Sequence, residues 1–590
     1  MLVLEGEKAS SNEERLTAIL DLLLIPWKAV SCGQAGNEFS AGDHPGEVCI
    51  LGSAPALANV LRPSTGINAE LPLWIKQAHS VYVFGFQATK ASETLLRLLC
   101  ASDSIGVRTT AAPTTGYNVS IAESLDYFCG PMSGLRFQVN ADREEVRFVQ
   151  PAQKSTSQTI ISTDSGGLFV CSSERGVRFF FSSCADITDV RTQAKRFFDV
   201  KEHFAGTVPT VMYLTWAFGK RKPVSACLIV DDPLLRPRYG FLRFTEALKL
   251  MDAEQFTLCL AFIPWNWRRT DKGTAQQFKT RADKLSVCIH GCDHSWGEFA
   301  SRSSAILNGR AKRARRRMEL FSRTTLVSHD PIMVFPQGLF SPEVGRSLKL
   351  NSFTAAVNTE VCPSGGAGNQ TTISDLWKVA NAKYGTFAIF SRRYISQGVE
   401  NFAFDALLGK PCLIVGHHDV FRDDAAELIA FVRKLNSLKW DLRWRSLGDA
   451  IRRSYQPVAS RGGQATIKMF GAELLLENDL AIPMEAVVRK DEEDGDCLEA
   501  VEAAGIPVKY ECNRGILQFR VIVPPQECAV IRVKYLDRLP TDSSADGIRY
   551  RSQIAVRRYL SEFRDNYVSQ SALLEETVAR LRKRPRKERY

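Results

Sequence analysis

Between Val224 and about residue 455 the chain alternates near-continuous apolar runs with amphipathic or polar stretches. The runs are SACLIVDD (225–232), TLCLAFIPW (257–265), SVCIHG (286–291), IMVFPQG (332–338), FTAAVN (353–358), TFAIFSRR (386–393) and PCLIVGHH (411–418), seven in all. A strand buried on both faces has no polar side to alternate with, so such runs separated by helical stretches predict parallel strands covered by helices. The fold class expected for residues 220–455 is therefore α/β, a distorted seven-stranded (β/α) barrel. The helix DDAAELIAFVRKLN (423–436) and the segment WRSLGDAIRRSY (444–455) are expected to complete it.

The texture differs on either side. Residues 1–215 mix short strands such as VCILG, SVYVFGF, GLFVCSS and GVRFFFSS with a helix, KASETLLRLLCA, and predict an N-terminal α/β domain without a chemical motif. After Gln456 the pattern becomes period-two in ATIKMF, MEAVVRK, ILQFRVIV and AVIRVKY, which predicts a small antiparallel β-sandwich over 456–545. Residues 546–590 read as a helical segment with a basic tail.

Composition narrows the class. The 590 residues are 45% hydrophobic and 24% charged, as in ordinary globular proteins. No stretch approaches the roughly 18 apolar residues that a membrane helix needs. The N-terminus, MLVLEGEKASSNEERL, is acidic where a secretory signal is basic, and a cytoplasmic location is expected. Fifteen cysteines without a CxxC pair read as buried, reduced thiols. The net charge of +11 is concentrated in RAKRARRRMEL (310–320) and RLRKRPRKERY at the C-terminus; polyanion contact is one use of such runs, a solvated face the more ordinary one. The oligomeric state is not legible.

Chemistry-bearing residues gather where the apolar runs end. Asp231 and Asp232 end the first, His290 the third with His294 just beyond, Pro336 and Gly338 the fourth, and His417 and His418 the seventh. Parallel α/β folds build their sites on that rim, and four of the eight histidines lie there. Two imidazoles and a carboxylate are a recurring catalytic zinc set. The alternation of Cys288, His290, Cys292 and His294 looks like a Cys2His2 knot, yet a strand cannot wrap alternate side chains around one ion. If the chain turns at Gly291, His290 and His294 reach one ion. Cys288 is then a barrel-wall residue and Cys292 a spacer. One carboxylate of the Asp231–Asp232 pair would join the ion and the other would accept a proton.

In order along the chain, IVDDP, HGCDH, FPQG and LIVGHHD resemble the motifs of the polysaccharide deacetylase family, the NodB-homology or family 4 carbohydrate esterases, within the glycoside hydrolase/deacetylase barrel superfamily. The resemblance covers about residues 220–455. It implies a divalent metal, zinc first, on Asp232, His290 and His294, with Asp231 as general base and His417 or His418 as general acid. The implied substrate is an acetylated saccharide. Members carry an arginine where this chain has Val334, so either Arg392 or Arg393 orients the base or activity is weak; the family's Asp-Trp motif is not identifiable. Trp265, Trp267 and Trp296 lie near the rim and are candidates to stack on sugar, or core aromatics.

Each motif alone has a bland reading: Asp-Asp-Pro and Pro-Gln-Gly are turns, and paired histidines sit on many surfaces. Their joint position at strand ends favours a metal site. The competing functions are a catalytically weak or inactive barrel that binds carbohydrate or acts as a scaffold in envelope assembly, and a metal-free glycosidase with two paired acids.

Overall fold

In the computed structural model, which describes residues 1–5, 10–31, 48–61, 71–100, 105–110, 116–140, 145–149, 157–174, 176–194, 196–219, 222–363, 371–461, 463–536, 539 and 547–570, each of the seven apolar runs contains a strand of one parallel sheet. The strands are β1 (Val224–Asp231), β2 (Leu258–Phe262), β3 (Leu285–His290), β4 (Ile332–Val334), β5 (Ala355–Asn358), β6 (Ile389–Ser391), β7 (Arg393–Tyr394), β8 (Cys412–Gly416) and β9 (Leu442–Trp444). Their order is β6-β5-β4-β3-β2-β1-β8-β7, with β9 paired to β1. The expected arrangement is altered in detail because the sixth run splits. Its first half pairs with β5 at one edge and its second half with β8 at the other, so Arg392 spans the gap and the sheet is nearly closed.

Strand parity explains what the barrel holds. Cys227 and Ile229, Cys259 and Ala261, Cys288, Val334, Val357, Phe390 and Leu413 share one buried cluster. The alternate residues Leu228, Val230, Leu260, Ile289 and Ile414 pack in the larger cluster with the surrounding helices. The interior is filled by apolar side chains, many of them small, and the next positions of that face at the strand ends are Asp231, His290 and Arg392. Cys288 therefore lines the interior.

Before the barrel, an eleven-stranded mixed sheet joins parallel strands at Leu2–Glu5, Cys49–Ser53 and Ser80–Phe84 to antiparallel ones ending at Arg136–Val139. The helix Phe204–Phe218 is held to it by Tyr82–Thr210 and Ser80–Tyr213 hydrogen bonds, both 2.9 Å. After the barrel, residues 456–535 form a five-stranded and a four-stranded sheet around a shared apolar core. Its pairing is not wholly antiparallel: Gln464–Lys468 runs parallel to Met484–Asp491. A buried cluster ties this unit to the barrel, with Lys349 2.6 Å and Lys490 2.9 Å from the carboxylate of Glu492. Among the described residues all fourteen cysteines are free, and no helix is long and apolar enough to cross a membrane. The basic tail at 580–590 lies outside the described residues.

Two adjacent groups ahead of β4 oppose each other in pH. Burial and the nearby Arg315 push His329 down to about 4, while burial pushes Asp330, which accepts the Gly448 N–H at 3.0 Å, up to about 6. The raised acid holds a proton that the unfolded chain has lost, so its contribution falls as pH rises through that window. The depressed imidazole stays neutral where the unfolded chain is protonated, so its contribution rises. Each is worth about 3 kcal/mol, and together they nearly cancel. In His329→Asn, the unfolding free energy is expected to fall from pH 4 to pH 6 relative to the parent, and in Asp330→Asn to rise. Denaturant titrations across that range check both slopes; parallel curves for all three proteins would contradict the assignment.

Candidate metal centre

The third strand ends at His290 and the chain turns at once. Gly291 takes φ +66°, and a Cβ there would lie 1.9 Å from a Glu298 carboxylate oxygen and 2.4 Å from the Pro336 ring, so only glycine fits. Glu298 pins the turn by accepting the backbone N–H groups of Cys292 (2.8 Å) and Asp293 (3.0 Å). The turn brings His294, itself at φ +56°, back toward β1. Asp232 leaves β1 at φ +83°, a strained conformation for a non-glycine residue.

These three residues converge. Asp232 Oδ1 lies 3.5 Å from His290 Nε2 and 3.0 Å from His294 Nε2, and one ligand atom from each residue falls within 4.8 Å of the others. Despite that proximity Oδ1 is buried without a hydrogen bond of good geometry, an unmet acceptor that a cation between the three side chains would satisfy. His290 Nδ1 lies 3.1 Å from the Val334 carbonyl, which fixes the ring and leaves Nε2 for an ion. His294 Nδ1 lies 3.3 Å from the Gln337 amide. An orphaned carboxylate oxygen and two backed imidazoles fit a small divalent cation of the zinc type. Burial acts to raise the Asp232 pKa, and the two imidazoles more than offset it, holding the carboxyl well below its usual range.

Asp231 sits beside this set, buried and clamped by Arg392 through two bonds of 2.7 and 2.6 Å. Burial raises its pKa, Arg392 and then His290 lower it, and the balance lies below the ordinary value. Arg393 points the other way and pairs with Asp405. His417 continues the interior parity of Leu413 and contributes to the field on Asp231. His418 faces out, its ring against Tyr239 and Phe241 and its Nε2 3.7 Å from Asp565. Pro336 is buried against Gly291, and the Gly338 carbonyl accepts from Asn358 at 2.9 Å. Trp296 is 75% exposed beside the turn, while Trp265 and Trp267 carry Arg317 and Arg268 over their rings at 5.1 and 4.7 Å.

Comparison with known proteins adds the following. No protein-family model matches the chain, and no curated protein matches it by sequence. Agd3, described as a novel carbohydrate deacetylase, aligns with a TM-score of 0.47 and 10% identity over 90% of this chain and 98% of its own. The chain resembles carbohydrate deacetylases of known structure. A putative polysaccharide deacetylase from Mycobacterium smegmatis aligns with a TM-score of 0.26 and 12% identity, covering 38% of this chain and 88% of that one. A family 4 pseudoenzyme from Bacillus anthracis aligns at 0.24 and 9%, covering 39% and 66%.

Sequence reasoning missed the supports of the site. Helix α1 (Ser304–Thr325) carries the first basic run, yet its Arg317 and Arg313 turn inward to Asp293 between the two histidines, with side chains only 15% exposed. Helix α2 (Ile548–Asn566) lies along the same rim: Tyr550 donates to Asp293 at 2.9 Å, and Tyr239 donates to Asp565 at 2.7 Å. A D-H pair with arginines one helical turn apart, Arg313 and Arg317, was the available signal for the first support. None existed for the second.

Proposed function

We propose that this chain is a metal-dependent hydrolase that removes N- or O-linked acetyl groups from a saccharide or sugar-containing precursor. The observation that carries the reading is the Asp232, His290 and His294 donor set with an orphaned carboxylate oxygen, beside a second buried carboxylate, Asp231. A divalent ion held by those three residues, zinc by donor type, would polarise the acetyl carbonyl and acidify the attacking water. Asp231 accepts the water proton; Arg392 holds it in place from two sides and keeps it ionised. His417, on the interior face, returns a proton to the leaving amine or alcohol, whereas His418 is engaged with Asp565. Pro336 and Gly338 shape the floor, and exposed Trp296 offers a face for a sugar ring. The same reading divides the chain at 1–215, 220–455, 456–545 and 546–590 and places it in the cytoplasm.

Acetate release from an N-acetylated chitooligosaccharide and from acetylated xylan tests it. At least one is expected to release acetate, with loss on chelation, restoration by zinc, and a larger defect in His417→Ala than in His418→Ala. Chain verified to hold its ion that releases nothing from either would contradict hydrolysis and leave a binding or scaffold role.

A further inference from the structure

Helix α2 is amphipathic in reverse. Its buried residues, Ile554, Arg558, Glu562 and Asp565, recur at spacings of four, four and three and so form one face, and that face is mostly charged. It meets the catalytic rim through ion pairs and hydrogen bonds: Arg269 to Glu562, Tyr239 to Asp565, and Gly240 N–H to Asn566 at 2.8 Å. The outer face is the apolar one. Val556, Tyr559, Leu560, Phe563 and Tyr567 are each 57 to 65% exposed, and all lie within one arc of the helical wheel. No other described element packs over that arc to the extent of burying any of the five.

The charge on that outer side is one-signed. Glu562 and Asp565 are the only acids in α2, and both are turned inward. Arg557 borders the apolar arc on one side and Arg549 precedes it along the helix, and the sequence beyond the described residues runs on to RLRKRPRKERY. An aromatic and aliphatic stripe bordered by arginines matches the boundary between acyl chains and anionic headgroups, where the stripe enters the bilayer and the guanidinium groups stay with the phosphates. A second copy of this chain fits less well, because a two-fold contact sets the same patch against itself and gathers arginines from both copies at one seam while the only acids of α2 stay turned inward. A soluble polyanion would satisfy the arginines and leave the stripe in water.

We propose that α2 is an interfacial helix that seats the rim of the barrel on an anionic lipid surface. The inner charged face holds the helix to the loops of Asp293 and His418, and the outer face supplies the contact with lipid. This inference does not depend on the reaction catalysed.

Co-sedimentation of the full chain with vesicles tests it, comparing phosphatidylcholine alone with phosphatidylcholine mixed with phosphatidylglycerol at low ionic strength. The parent chain is expected to partition to the mixed vesicles at least about tenfold more strongly, and Leu560→Asp with Phe563→Asp is expected to lose at least about tenfold of that binding. Both positions are exposed, so the double variant is expected to keep the parent's thermal unfolding. Failure of the parent to bind either vesicle would overturn the proposal. Binding that the double variant retains would do the same, since it would rest on the arginines and the tail alone. A concentration-dependent dimer that the double variant abolishes, without lipid binding, would make a second copy the occupant and also overturn it.

Discussion

Asp231→Asn is expected to lower the rate of acetate release on the order of a thousandfold while leaving one divalent ion on the chain. The separation follows from the geometry. Asp232 turns its orphaned Oδ1 toward the two imidazoles, whereas both oxygens of Asp231 face Arg392 at 2.7 and 2.6 Å. An amide at 231 keeps one acceptor for the guanidinium and loses the basic site. Metal content measured on the same sample as the kinetics distinguishes loss of the base from loss of the ion. A variant that loses both together would assign Asp231 to the metal instead.

Arg392→Met is expected to destabilise the chain by about 3 to 5 kcal/mol, because it leaves a buried carboxylate without its counter-charge. Asp231 and Arg392 have side chains only 6% and 4% exposed, so water cannot replace the lost partner. The same residue bridges the two edges of the barrel, its N–H donating to the Asn358 carbonyl at 3.1 Å, and that backbone link survives the substitution. Most of the loss is therefore electrostatic. Combining Arg392→Met with Asp231→Asn is expected to recover part of the stability, which removal of a purely packing role would not do; denaturant midpoints of the two single variants and the double variant measure it.

The barrel strands were legible because burial on both faces leaves an unmistakable run of apolar residues, as in CLIV at 227–230. The convergence of Asp232 with His290 and His294 was legible for a related reason: strand ends place chemistry on one rim. The choice between neighbours was not. The sequence offered both Arg392 and Arg393 in place of the arginine missing at Val334, and which of them reaches Asp231 depends on how the sixth run divides between two sheet edges. Strand parity separated His417 from His418 only after β8 had a known inward face. Helix α2 was the hardest to read. Its charged positions look like the solvated side and its apolar positions like the buried side, yet Arg558, Glu562 and Asp565 are buried while Val556, Leu560 and Phe563 are exposed. Physical logic still holds there, because a charged face can be buried where partners such as Arg269 and Tyr239 await it.

Direct metal analysis of the purified full chain and of His294→Ala tests the metal centre itself. Close to one divalent ion per parent chain is expected, zinc when zinc is supplied, and none in the variant, with the two proteins sharing one circular dichroism spectrum. A folded parent chain that takes up no divalent ion, or a variant that holds it as tightly, would contradict the metal centre on which the proposed chemistry rests.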